Sequence, residues 1–211
     1  MKINIEIIKK ALVHDSVKIA DLNEKELVKK MMTRRRLSRA SKILINLANK
    51  CDFTTGTMIY GSAHGEVGDT VSILNSINNE QAVSPTAFQN SVYNTAASYH
   101  SIVHENTSEI LTLSCDDNTS YNVMQQAALT LLTQESVFVC VVEAISFDGV
   151  DDLNRCKNDL EYGIAFTLKK TDKSPNTKIQ NNTQEGVPAS LSWMKNLYDV
   201  SNENTIVEVE L

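Results

Sequence analysis

Six apolar residues stand in succession at Val137-Phe138-Val139-Cys140-Val141-Val142, four of them valine. A strand built from them is apolar on both faces, so it needs cover above and below. That requirement selects an α/β layered fold, and the rest of the sequence supplies the layers. Ile3, Ile5 and Ile7 alternate with polar residues, which predicts a strand over 2–8. Leu37, Ala40, Ile43, Leu44, Leu47 and Ala48 fall at helical spacing and predict an amphipathic helix over 37–49. Thr54–Tyr60 reads as a strand, and Val67, Val71, Leu74 and Ile77 mark the next helix. Ser84-Pro85 opens a helix expected to run unbroken to about residue 104, with Phe88, Val92, Tyr99, Ile102 and Val103 on it. Ile110–Cys115 reads as a strand, followed by a helix carrying Val123, Met124, Ala127, Ala128, Leu131 and Leu132. Gly163–Leu168, a short helix over 191–198 and a strand-like tail over 206–211 complete the pattern. Asp21 and Glu24 resemble a capping box for a helix through Met32.

A length of 211 residues, 42% of them apolar, suits one domain spanning 1–211, with a polar surface loop at about 172–186. A net charge of −6 disfavours a nucleic-acid partner. No apolar run reaches the roughly 18 residues of a membrane span, and the N-terminus lacks the apolar centre of a signal peptide. Cys51, Cys115, Cys140 and Cys156 form no CxxC pair, so reduced thiols in a cytoplasmic protein are expected.

Four groups of residues could carry chemistry. His100 and His104, four apart on a helix, have the spacing of two metal ligands, but no third ligand is in view, and packing is preferred; no metal is expected. Gly61-Ser62-Ala63-His64-Gly65-Glu66 sits at a strand end, with a local His64–Glu66 hydrogen bond expected. Its Ser is not midway between the glycines and no helix start is expected directly after it, so a structural or interface role outweighs catalysis by Ser62 with His64. Arg34-Arg35-Arg36 could dock an acidic partner or simply be solvated. Ser114–Tyr121 forms a strand-to-helix elbow, where a cysteine would gain thiolate character from the helix N-terminus. Cys115 falls a few residues early, and the turn holds Asp117 and Asn118, for which helix capping is the plain reading.

The stretch Ser84-Pro85-Thr86-Ala87-Phe88-Gln89-Asn90-Ser91-Val92-Tyr93-Asn94, continuing through Ser98-Tyr99-His100-Ser101-Ile102, resembles the SPxxFxxSVHNxxAGxxSI motif of short β-ketoacyl-synthase-like proteins. Arg34–Ser38, Ala63–Glu66 and the elbow at 116–121 match the same family, so the resemblance spans about 34–168. It implies a truncated thiolase-like fold, the N-terminal half of a ketosynthase, from clusters making aryl polyene and related polyketide or fatty-acyl pigments. In full ketosynthases a cysteine at the elbow takes the acyl chain, and two histidines come from the C-terminal half. The resemblance places Asn118, or Asp117 with one gap, at the nucleophile's position, where neither can form a thioester. It therefore implies a subunit like a chain-length factor, with no cofactor, paired with a full-length ketosynthase and meeting acyl carrier protein through that complex. Ile110, Leu111, Thr112, Leu113, Ser114 and Cys115 would form the partner-facing strand. Asp117, Asn118, Thr119 and Tyr121 would line the tunnel side of the elbow, and Arg34, Arg35 and Arg36 would contact the carrier. Half of such a fold is expected to leave apolar surface uncovered. The competing expectation is a small acyltransferase or thioester hydrolase using Cys115, or Ser62 with His64.

Overall fold

The structure is a computed structural model, and it describes residues 1–145, 161–179, 182–202 and 204–211. Cys156 and part of the expected core and polar loop lie outside these residues. The valine-rich run forms strand β4 (Ser136–Ala144), buried from Val137 to Glu143. It lies inside a six-stranded mixed sheet with β1 (Lys2–Asp15), β2 (Met58–Gly61), β3 (Ile110–Leu113), β5 (Glu161–Lys170) and β6 (Ile206–Glu210). The order is β3-β2-β4-β5-β1-β6. β2 is parallel to β3 and β4, while the β4–β5, β5–β1 and β1–β6 pairs are antiparallel.

Helices cover both faces, as the doubly apolar strand requires. On one face α3 (Arg39–Lys50) buries Ile43, Leu44, Leu47 and Ala48 against Tyr60, Phe138, Cys140 and Ala165. Gly163 permits the close contact, because a Cβ there would lie 2.7 Å from Ile43. On the other face α7 (Thr119–Thr130) and α8 (Ser192–Val200) bury Val123, Met124, Ala127, Met194 and Leu197 against Ile59, Val139, Val141 and Phe166. Of the expected uncovered sheet or helix surface, the sheet is covered here, since α8 and the segment around Val187 and Leu191 close this face from within the chain, whereas apolar helix residues such as Leu74, Ile77, Phe88 and Ile102 stand exposed.

Several elements depart from their sequence reading. β1 runs to Asp15 because a bulge between Ile7 and Lys9 shifts its register against β5. Ile3, Ile5 and Ile7 face the α7 side, whereas Ala11 and Val13 face the α3 side, so simple alternation fails at the bulge. The helix expected over 21–32 is two short ones, α1 (Glu24–Leu27) and α2 (Met31–Arg36). The arginine run therefore forms the last turn of a helix, where cations complement the helix dipole. α4 (Val67–Asn78) opens directly after Glu66, contrary to the reading of that turn, and buries none of its residues. The single helix expected from Ser84 is broken into α5 (Pro85–Asn90) and α6 (Thr95–His104). At the break the Thr95 hydroxyl donates to the Asn90 carbonyl (2.8 Å), which stands in for a helical bond. Phe88 and Val92, which the spacing placed on one stripe, are exposed.

Candidate functional site

β3 pairs on one side with β2 and stands first in the sheet, so its other edge is unpaired among the described residues. Its end delivers Ser114 and Cys115 to a one-turn 3-10 helix, Asp116–Asn118, which leads straight into α7. Asp116 adopts a left-handed backbone (φ 50°), a conformation that Asp tolerates better than most residues. Thr119 locks the turn: its hydroxyl accepts from the Cys115 amide (3.0 Å) and donates to the Asp116 carbonyl (2.7 Å). Thr119 is fully buried, so it holds the elbow rather than lining a cavity. Asn118 occupies the cap position of α7 without a side-chain cap hydrogen bond.

Asp117, Asn118 and Tyr121 instead line a pocket of about 510 Å³, closed on its far side by Gln184, Ala189 and Trp193. The Tyr121 and Trp193 rings stand 6.0 Å apart. The far wall is carried by a second 3-10 turn, Ala189–Leu191, packed against the elbow turn. Cys115 is half-buried at the strand end and does not line this pocket.

The loop after β2 is built around a residue that the sequence reading passed over. Glu143, at the end of β4, is fully buried, and its carboxylate accepts four hydrogen bonds. Oε1 takes the Ala63 amide (2.7 Å) and the Ser190 hydroxyl (2.8 Å). Oε2 takes the Ser62 hydroxyl (3.0 Å) and the His64 amide (3.4 Å). Burial pushes the Glu143 pKa up, and these donors pull against it. The available signal was one acidic residue directly behind a six-residue apolar run. Ser62 donates to Glu143 and accepts from the Gly65 amide (2.8 Å), so its hydroxyl is committed to the loop. Gly65 has φ 57° and lies under the Tyr93 ring, where a Cβ would approach to 2.9 Å. Tyr93 and Ser114 both donate to the Ala63 carbonyl, at 3.2 and 3.3 Å.

The expected His64–Glu66 bond gives way to another pairing. Ser38 donates to the buried Glu66 carboxylate (2.5 Å) and also caps α3 by accepting from the Ser41 amide. Burial raises the Glu66 pKa to about 7, with Ser38 opposing the rise and Asp69 adding to it. Arg34 donates to the Val28 carbonyl (2.8 Å), Asn90 reaches the Arg36 carbonyl, and none of the three arginines lines the elbow pocket.

His100 and His104 pack as a tilted pair with ring centroids 4.5 Å apart, and Phe53 stacks on His100 at 5.4 Å. Burial, then the His104 ring, lower the His100 pKa to about 3, with a smaller opposing pull from the Phe53 backbone. No group of three or more His, Cys, Asp or Glu side chains placed to hold a metal occurs among the described residues. The thiols of Cys51, Cys115 and Cys140 are free. Burial raises Cys51 to about 12 and Cys140 well above its usual value. No helix among the described residues is long and apolar enough to cross a membrane.

Sheet order, two covering helical layers and a strand-to-helix elbow at the sheet edge define a thiolase-like ketosynthase fold, with Cys115 at the strand end and no thiol within the Asp116–Asn118 turn. The family described as "Beta-ketoacyl synthase, N-terminal domain" matches residues 14–208, and the chain belongs to it. No curated protein matches in sequence. Among solved structures, the chain resembles one chain of a ketosynthase in complex with its chain length factor from Xenorhabdus doucetiae (TM-score 0.71, 16% identity) over 96% of its own length and 97% of the other's. It also resembles the ishigamide ketosynthase/chain length factor (TM-score 0.62, 11% identity), covering 81% of this chain and 63% of that one. A β-ketoacyl synthase from Burkholderia phymatum STM815 matches at TM-score 0.57 and 14% identity, with 82% of this chain and 60% of that one covered. The chain therefore spans less than two thirds of the length of the last two.

Proposed function

We propose that the chain is a non-catalytic ketosynthase-family subunit of the chain-length-factor type, which pairs with a full-length β-ketoacyl-ACP synthase in type II polyketide or aryl polyene biosynthesis. The observation that carries this reading is the elbow itself: Asp117 and Asn118 stand at the turn and line its pocket, and no thiol does. A carboxylate or amide cannot hold an acyl group as a thioester. Ser62 is occupied by Glu143 and Gly65, which weakens a hydrolase built on Ser62 and His64.

Partner pairing is supported by the unpaired edge of β3, a ready template for strand addition. Ile110–Leu113 are all half-buried, and Ile110 and Thr112 share a hollow with Ala97 and Ile102 of α6. Large apolar side chains also stand exposed nearby in sequence, including Leu74 and Ile77 on α4, Phe88 on α5 and Ile102 on α6. Such surface suits a large apolar interface. Arg35 and Arg36 are exposed, and with Arg34 they are the cations that would meet an acidic carrier protein in this reading.

The test is reconstitution of elongation with a full-length ketosynthase and carrier protein from the same source, with and without this chain. Product length should change when the chain is omitted. Unchanged product refutes the reading. Intact mass after incubation with an acyl thioester probe separates the alternative, because an acyl adduct on Cys115 would assign the chain to the acyltransferases.

A further inference from the structure

The elbow pocket has two walls that are distant in sequence, and one buried carboxylate touches the supports of both. On one side Glu143 receives the Ser62 hydroxyl and the Ala63 and His64 amides, and Ser114 at the start of the elbow donates to the Ala63 carbonyl. The Ser62 amide in turn donates to the Leu113 carbonyl at the end of β3 (3.1 Å). On the other side Glu143 receives the Ser190 hydroxyl, within the turn that carries Ala189, Ser192 and Trp193 into the pocket. We propose that Glu143 is a positioning residue that fixes the elbow pocket by joining the 62–65 loop to the 189–193 turn.

The chemistry demands a carboxylate. Each oxygen accepts one backbone amide and one hydroxyl, and neither backbone amide can be served by an N–H group. An amide at this position has one acceptor oxygen and two donor hydrogens, so it turns like charge toward at least one backbone amide or hydroxyl. The burial is complete, so no water replaces a lost partner. The two sides are consequently held to one another through a single side chain, and a perturbation at either side reaches the other.

Trp193 is the sole tryptophan of the chain and sits in the far wall, away from the 62–65 loop, so its fluorescence reports on that wall of the pocket. The experiment perturbs one side and reads the other, using the chain by itself, so its outcome is separate from the failure of the partner reading. Ser62→Ala should leave the fold intact by circular dichroism and raise acrylamide quenching of Trp193 about twofold through more frequent local opening. Ser190→Ala should speed amide hydrogen exchange at Ala63 and His64 roughly tenfold. Glu143→Gln should do both, and where it fails to fold the two serine variants decide. The proposal is overturned if, in folded Ser62→Ala and Ser190→Ala proteins, each change loosens only its own side.

Discussion

Arg39 and Glu161 form a paired, forked contact whose loss should be felt by the whole fold. The Arg39 Nε donates to Glu161 Oε1 (2.6 Å) and its Nη2 to Oε2 (2.5 Å). The same pair clamps the backbone of Ile19, whose amide donates to Glu161 (2.8 Å) and whose carbonyl accepts from Arg39 (3.1 Å). It thereby ties the segment after β1 to the first turn of α3 and the start of β5. The Glu161 side chain is 5% exposed and that of Arg39 is 26% exposed. Arg39→Met leaves a nearly buried carboxylate without its cation, a loss of about 3–5 kcal/mol for fully buried pairs. Water can enter where Arg39 is open, so about 2–3 kcal/mol is expected here. For a chain of this size that corresponds to a Tm lowered by about 4–12 °C in a circular dichroism melt. Arg39→Lys should fall between, since an ammonium keeps the charge but not the fork. Changing both residues to Met should recover much of the loss, because no unpaired charge then remains. An Arg39→Met protein melting within about 1 °C of the wild type would refute the reasoning.

Other outcomes follow from the same contacts. A Cβ on Gly61 would lie 2.7 Å from Val123 and 2.9 Å from Thr119, so Gly61→Ala should cost about 1–3 kcal/mol in urea unfolding. The unfolded His100 takes up a proton near 6.5 and the folded one only near 3, so its contribution is complete above about 6.5 and is lost as pH falls toward 3. His100→Phe should flatten that acid-side loss of stability, by an amount on the order of a few kcal/mol in unfolding measured against pH. Glu66 works in the opposite sense: folded near 7 against an ordinary 4.5, its contribution is full below 4.5 and declines as pH rises to about 7. Glu66→Gln should therefore melt relatively higher at pH 8 than at pH 5, compared with the wild type. Along β3 the Glu109 and Leu113 carbonyls bond toward β2, so alternation turns the Thr112 amide outward. Thr112→Pro should leave the monomer's Tm nearly unchanged while abolishing binding to a ketosynthase in a pull-down.

The elements that periodicity describes were legible in advance. The valine run and the stripe of α3 bury what their spacing says they should, and α7 does so through Leu131, while Leu132, past the end of the helix, is exposed. Elements set by one irregular residue were not. The bulge after Ile7 exchanges the two faces of β1, and the Thr95–Asn90 bond divides a helix whose stripe looked continuous. The elbow was readable from its turn residues, and the structure gathers Asp117, Asn118 and Tyr121 into one pocket while drawing Thr119 inward. Its far wall comes from a polar stretch with no motif, and Glu143 joins it to the 62–65 loop across 47 residues of sequence separation to Ser190. Local pattern carries no trace of such a long-range contact.

The central claim, that this chain serves as the silent partner of an active condensing enzyme, is met most directly by co-expressing it with a full-length ketosynthase from the same source. The mass of the eluting species is then measured by light scattering. A complex holding both chains in equal number is the expected result. Two proteins eluting separately, each at its own mass, would contradict it.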